Sequence, residues 1–147
     1  MEEILISQEL QNLGLSLIPD FISIEEETEL LKVLIKTEET VKKTKSRNSI
    51  QRFGSSLPYN SNIVSSAIPE HFNFVVDRLL EQNLVKLRPD SVTVNEYQKG
   101  QEITPHIDSK NSGRIITILS LLGDATMKFN FKKEEHSMLY PARALVQ

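Results

Sequence analysis

The sequence predicts an α+β fold in which two helices lead into a barrel or jelly roll of short strands. Three observations predict it. Apolar residues recur at helical spacing in two stretches before Ser91. From Ser91 onward the period changes to two, the spacing of a strand. Gly100, Gly113 and Gly123 then punctuate the strand-like runs. Helices followed by a series of short strands suit a curled sheet with helices packed outside it. At 147 residues the chain can bury a sizeable core as one domain, and it has no internal repeat, low-complexity tract or linker.

The elements follow in order. "GLSLIPDFIS" opens with a short apolar, strand-like run and leads into "SIEEETELLKVLIK". Ser23 and Glu26 fit a capping box at the start of this helix. Leu30, Leu31, Leu34 and Ile35 fall on one face, and the helix should run to about Lys36. The next stretch, from Thr37 to Asn62, is the most basic of the chain, with Lys42, Lys43, Lys45, Arg47 and Arg52. Gly54, Pro58 and the Ser/Asn cluster mark it as a loop. It reads either as a solvated surface loop or as a phosphate-facing one with Phe53 and Tyr59 near a base. The second helix is "IPEHFNFVVDRLLEQN", with Pro69 in its first turn. Phe72, Val75, Val76, Leu79 and Leu80 form its buried stripe, and His71 lies off it as a surface histidine. The strands are "SVTVNEY", "ITPHID", "RIITILSLL", "TMKFNF" and "SMLYPARALVQ", the last broken by Pro141.

Composition excludes several classes of function. With no cysteine there is no disulfide, thiolate-bound metal or cysteine nucleophile. A net charge of −3 argues against a chain that is basic all over, although a local basic patch remains open. The acidic N-terminus does not read as a signal peptide, and "IITILSLL" is too short to span a bilayer and reads as a buried strand. A soluble protein of the cytosol or nucleus is expected, with no membrane partner.

The chemistry concentrates near "VNEYQKGQEITPHIDS". In a strand, residues two apart share a face, so His106 and Asp108 project together. An imidazole and a carboxylate side by side can hold one divalent metal, and a further histidine would complete a facial triad of the non-haem iron type. A hydrogen-bonded His–Asp pair at a strand end is the plainer reading. Asn95 and Tyr97 share one face of the preceding strand and can hydrogen-bond a carboxylate-bearing small molecule. Alternatively they form a polar patch satisfying strand ends.

These residues carry a resemblance. "VNEYQKGQEITPHIDS" followed by "IITILSLLGDATMKFNF" resembles the AlkB-type Fe(II)/2-oxoglutarate dioxygenases, whose core runs Asn-x-Tyr, a Gly-containing turn, His-x-Asp and an apolar strand. "GLSLIPDFISIEEETELLKVL" resembles the family's N-terminal strand and helix, and "RFGSSLPY" falls at its substrate lid. The resemblance implies a double-stranded β-helix (jelly-roll-like) core with two flanking N-terminal helices. It implies a single domain over 1–147: a helical part over 14–90 with a lid loop at about 42–60, then a β-core over 91–147. It implies Fe(II) on His106 and Asp108, and 2-oxoglutarate on Asn95 and Tyr97. Alkylated DNA or RNA would lie against Arg52, Phe53 and Tyr59, and the wording of the motif leans toward tRNA.

The family pattern also asks for a distal histidine and an arginine on a late strand. His136 comes too early and sits in the charged turn "KKEEH", and Arg143 also precedes its place. Both read as surface residues. The core is therefore expected to be incomplete at its C-terminus, with the rest of the site beyond Gln147 and weak or absent activity. The alternatives are a non-catalytic AlkB-fold module that binds nucleic acid or a protein, and an unrelated small β-barrel with a coincidental His–Asp pair.

Overall fold

The computed structural model describes residues 6–35, 49–54, 68–108 and 112–147. They form an α+β arrangement of short helices and three small antiparallel sheets, with no closed barrel among them. The chain divides into two compact units, one of Met1–Glu29 with Gly113–Gln147 and one of Leu30–Ser112. No helix among the described residues is long and apolar enough to cross a membrane.

The first unit begins with α1, Gln8–Asn12. The Ser7 hydroxyl caps it by accepting from the Leu10 amide at 3.3 Å. Leu10 is buried with Met138, Tyr140, Ala144 and Val146, and Leu17, Met127 and Phe129 pack against that cluster. Strand β1, Leu17–Ile18, pairs with β7, Leu145–Val146, and β7 pairs on its other side with β4, Ile118–Leu119. Strands β5, Ala125–Phe131, and β6, Glu134–Tyr140, form a hairpin. Its two-residue turn is Lys132-Lys133, with φ of 47° and 70°. Two positive values match the twist of a tight hairpin, which Asn-Gly usually supplies. The predicted turn "KKEEH" thus contracts to its two lysines, and Glu134 to His136 belong to the strand.

Helix α2, Ile24–Ile35, opens with the predicted capping box: the Ser23 amide donates to Glu26 Oε2 at 2.9 Å, and the Glu26 amide donates to Ser23 Oγ at 3.1 Å. Glu27, one residue on, is buried. Its carboxylate accepts from the Leu122 amide at 2.9 Å and from Arg143 Nη1 at 3.3 Å. Arg143 is therefore an ion-pair partner only 26% exposed, not the surface residue expected. It holds φ at 64° in the turn where the Ala144 amide bonds the Pro141 carbonyl. The Tyr140 hydroxyl donates to the Ile118 carbonyl, and burial raises its pKa well above the usual phenol range.

In the second unit β2, Ser49–Gly54, pairs with β3, Ser91–Glu96, over their whole lengths. The loop expected across 42–60 is thus a strand over 49–54, because Ile50 and Gln51 are buried in the ribbon. Gly54 holds φ at 80°, and a Cβ there would meet the Asp90 carbonyl oxygen at 2.0 Å. The second predicted helix begins as a 3-10 turn over Glu70–Phe72 and continues as α3, Asn73–Glu81. Phe72, Val76 and Leu79 are buried, as its stripe requires. His71 is half-buried, its ring lies 4.3 Å from that of Phe72, and its Nε2 is covered without a hydrogen-bond partner among the described residues. Burial lowers its pKa, so it is not the freely solvated histidine the sequence suggested.

One predicted strand does not form and another forms only in part. "ITPHID" pairs with nothing among the described residues: Pro105 offers no amide, and Ile107 is 97% exposed, so neither a ladder nor a buried face holds it. "RIITILSLL" is a strand only at Ile118–Leu119; Ile115, Ile116 and Ile118 are exposed rather than buried.

Candidate functional site

The site builds up from the β2–β3 ribbon. Register pairs Ile50 with Asn95 and Arg52 with Thr93, so Arg52, Thr93 and Asn95 share one face. Phe53 pairs with Val92 on the other face, and its ring lies 5.8 Å from that of Phe72. Phe53 is thus engaged with a core aromatic. Arg52 is exposed and has no ion pair among the described residues. Tyr97 follows just past the end of β3 and is 41% exposed. Tyr59 and Lys42, Lys43, Lys45 and Arg47 lie outside the described residues.

A turn then redirects the chain. The Gln101 amide donates to the Gln98 carbonyl at 2.9 Å, with Gly100 at φ 87° in the third position. That position of a type II turn favours glycine. The chain continues through Ile103 to His106 and Asp108 without a ladder.

His106 and Asp108 are nonetheless brought together. His106 Nε2 lies 3.3 Å from Asp108 Oδ1, and each side chain is 47% exposed, open enough for a ligand to reach. The other ring nitrogen, Nδ1, lies 2.8 Å from the Thr104 carbonyl oxygen. A carbonyl can only accept, so Nδ1 carries the hydrogen. In the neutral ring, Nε2 is then a bare lone pair facing a carboxylate. Two acceptors at that distance repel unless a cation sits with them, either a proton or a metal. A histidine whose far N–H is tied to a carbonyl is also how metal-ligating imidazoles are oriented. The nitrogen and oxygen donors fit a divalent first-row metal. Among the described residues no third histidine or carboxylate joins the pair.

His136, expected at the surface, faces the covered side of its hairpin, and its side chain is only 11% exposed. Strand register accounts for this: His136 pairs with Phe129 and shares its face with the buried Met138 and Tyr140. The signal was present in the sequence as "EHSMLY", where His136 is in phase with Met138 and Tyr140.

The chain is similar to proteins of known name. It is 30% identical over 146 residues to the mouse tRNA (carboxymethyluridine(34)-5-O)-methyltransferase ALKBH8, a match covering 90% of this chain and 22% of that protein. The Xenopus tropicalis protein of the same name is 29% identical over 143 residues, covering 90% of this chain and 23% of the relative. The Arabidopsis thaliana "Alkylated DNA repair protein ALKBH8 homolog" is 30% identical over 136 residues, covering 85% and 38%. The chain therefore spans less than a quarter of the length of the two vertebrate relatives. No protein-family model matches it.

Proposed function

We propose that this chain belongs to an AlkB-like Fe(II)/2-oxoglutarate dioxygenase acting on an alkylated nucleic acid, with tRNA as the first candidate, and that by itself it has weak or no activity. The observation that carries the reading is the His106–Asp108 pair, an imidazole nitrogen and a carboxylate oxygen 3.3 Å apart with the ring fixed from behind by Thr104. The similarity to proteins named for alkylated-DNA repair and for a tRNA modification supports it. The described strand pairings are all antiparallel. Such pairings suit a double-stranded β-helix better than a doubly wound cofactor cradle with parallel strands. Residues 1–147 would belong to one such domain, with β1–β7–β4 and β5–β6 contributing to its core.

His106 and Asp108 would hold the iron. Asn95 and Tyr97 would hydrogen-bond a carboxylate of 2-oxoglutarate. Arg52, on the Asn95 face of the ribbon, would meet a phosphate of the substrate and fix its register without reading its sequence. When bound, the iron and 2-oxoglutarate supply the oxidation of an alkyl group by dioxygen, which no side chain here can perform. The protein's part is to orient the two ligands, neutralise charge through Asp108 and present the substrate.

A second reading is favoured by one observation: His106 and Asp108 have no third ligating side chain among the described residues. A non-catalytic module of this fold would bind nucleic acid or a protein through the same face. The test is succinate release with Fe(II), ascorbate and 2-oxoglutarate, with alkylated tRNA or alkylated DNA, beside Asp108→Ala. Substrate-dependent succinate that disappears in the variant supports the dioxygenase. Tight binding of nucleic acid that survives Asp108→Ala, with no succinate in either protein, supports the binding module.

A further inference from the structure

The β5–β6 hairpin carries a second histidine and carboxylate at the same spacing, and α1 adds a third group. Glu134 and His136 are two residues apart on one strand and share its face. Leu10 anchors α1 in the cluster that Phe129, the cross-strand partner of His136, packs against. Its neighbour Glu9 is thereby brought to the histidine from a separate element. Nδ1 of His136 lies 3.8 Å from Glu9 Oε1, and Nε2 lies 3.9 Å from Glu134 Oε2. Both separations exceed a hydrogen bond. Among the described residues this largely covered ring, 11% exposed, makes no hydrogen bond. A neutral imidazole has one N–H, so it can satisfy only one of the two carboxylates.

We infer that Glu9, Glu134 and His136 form a binding site for a divalent transition metal of the zinc and manganese class. One ligand atom from each lies within 4.8 Å of the others. Ligands bonded at about 2.1 Å to one ion stand at most about 4 Å apart. The two glutamates now face different ring nitrogens, so binding one ion requires them to converge on a single nitrogen; their side chains, 66% and 76% exposed, are not held by packing. The two carboxylates balance the charge of a dication, and one imidazole suits a borderline metal better than calcium or magnesium. The outer coordination positions stay open to water. Bound metal ties α1 to the hairpin, so it stabilises the fold in proportion to its affinity. This site is independent of the proposed dioxygenase chemistry at His106 and Asp108.

The test uses the full chain, stripped of metal, in a His106→Ala/Asp108→Ala background that removes the other candidate ligands. Zinc is titrated in competition with a chromophoric chelator while the imidazole resonances are followed by NMR. The expected result is one saturable zinc per chain, a raised melting temperature and a shift of the His136 ring signals. Glu134→Gln and Glu9→Gln, both at exposed side chains that leave the core intact, should each weaken zinc by about tenfold or more. Absence of saturable binding at millimolar zinc overturns the inference. So does zinc affinity that is unchanged in both glutamine variants and in His136→Gln.

Discussion

Two regions of this chain place a histidine and a carboxylate two residues apart, and their surroundings make them different objects. Glu134 and His136 lie in a ladder seven residues long, with α1 over one face and the histidine only 11% exposed. His106 and Asp108 lie in a stretch with no ladder, 47% exposed each, held by one local bond to Thr104. In the hairpin the strand's period of two brings the pair together, whereas His106 and Asp108 meet outside any strand. Rigidity and cover come from what the neighbours bury: Met138 and Tyr140 in the hairpin, against an Ile107 that is 97% exposed beside Asp108. A group that must meet a large substrate belongs in the open region, and a group that ties elements together belongs in the covered one.

Substitutions should separate the two regions. The largest effect is expected from Asp108→Ala or His106→Ala, each of which should abolish metal-dependent 2-oxoglutarate binding in a calorimetric titration. Stability should change by no more than about 0.5 kcal/mol, because both side chains are half-exposed. In the covered unit the order reverses. Glu27→Ala strips the partner from Arg143 and from the Leu122 amide, and should cost about 3 kcal/mol in denaturant unfolding while leaving 2-oxoglutarate binding per folded molecule unchanged. Equal losses of stability from Asp108→Ala and Glu27→Ala would break the comparison.

Smaller changes sharpen it. Gly54→Ala forces a Cβ against the Asp90 carbonyl at a positive φ and should cost about 2 kcal/mol, since the ribbon that carries Asn95 must shift. Ser23→Ala removes one half of the capping box and should cost about 1 kcal/mol, read as a lower unfolding midpoint with an unchanged slope. The smallest effect is a pH dependence. The pKa of His71 is lowered by burial, so below its ordinary value of 6.5 the unfolded chain takes up the proton first. Stability should therefore fall as pH drops from 6.5 toward the lowered folded value and level off beneath it. His71→Gln should flatten that part of the profile.

Much of α2 and α3 was legible because their signals are local, whereas α1 was not anticipated. Ser23 and Glu26 satisfy each other within one turn, and the stripe of Phe72, Val76 and Leu79 announces the face that α3 buries. The alternation of Val92 and Val94 likewise announced β3. What sequence could not supply was long-range. Nothing near Arg143 says that Glu27, 116 residues away, will pair with it. Lys132-Lys133 lacks the Asn or Gly that normally signals a tight hairpin, so from sequence the turn reads too wide and His136 falls outside the strand. In "ITPHID" and "RIITILSLL" the apolar pattern was real, but a pattern becomes a strand only where a partner completes the ladder. The candidate site fared in the same way: His106 and Asp108 are close, but not on the strand the spacing implied, and neither their exposure nor the bond to Thr104 was legible.

The central claim is that His106 and Asp108 hold a metal that in turn holds 2-oxoglutarate. It is tested most directly by anaerobic titration of 2-oxoglutarate into the metal-free chain, the Fe(II)-loaded chain and Fe(II)-loaded Asp108→Ala. The account predicts saturable binding only to the Fe(II)-loaded parent chain, weakened by Asn95→Ala and absent in Asp108→Ala. Binding of equal strength with and without iron, or binding indifferent to Asp108→Ala, would contradict it.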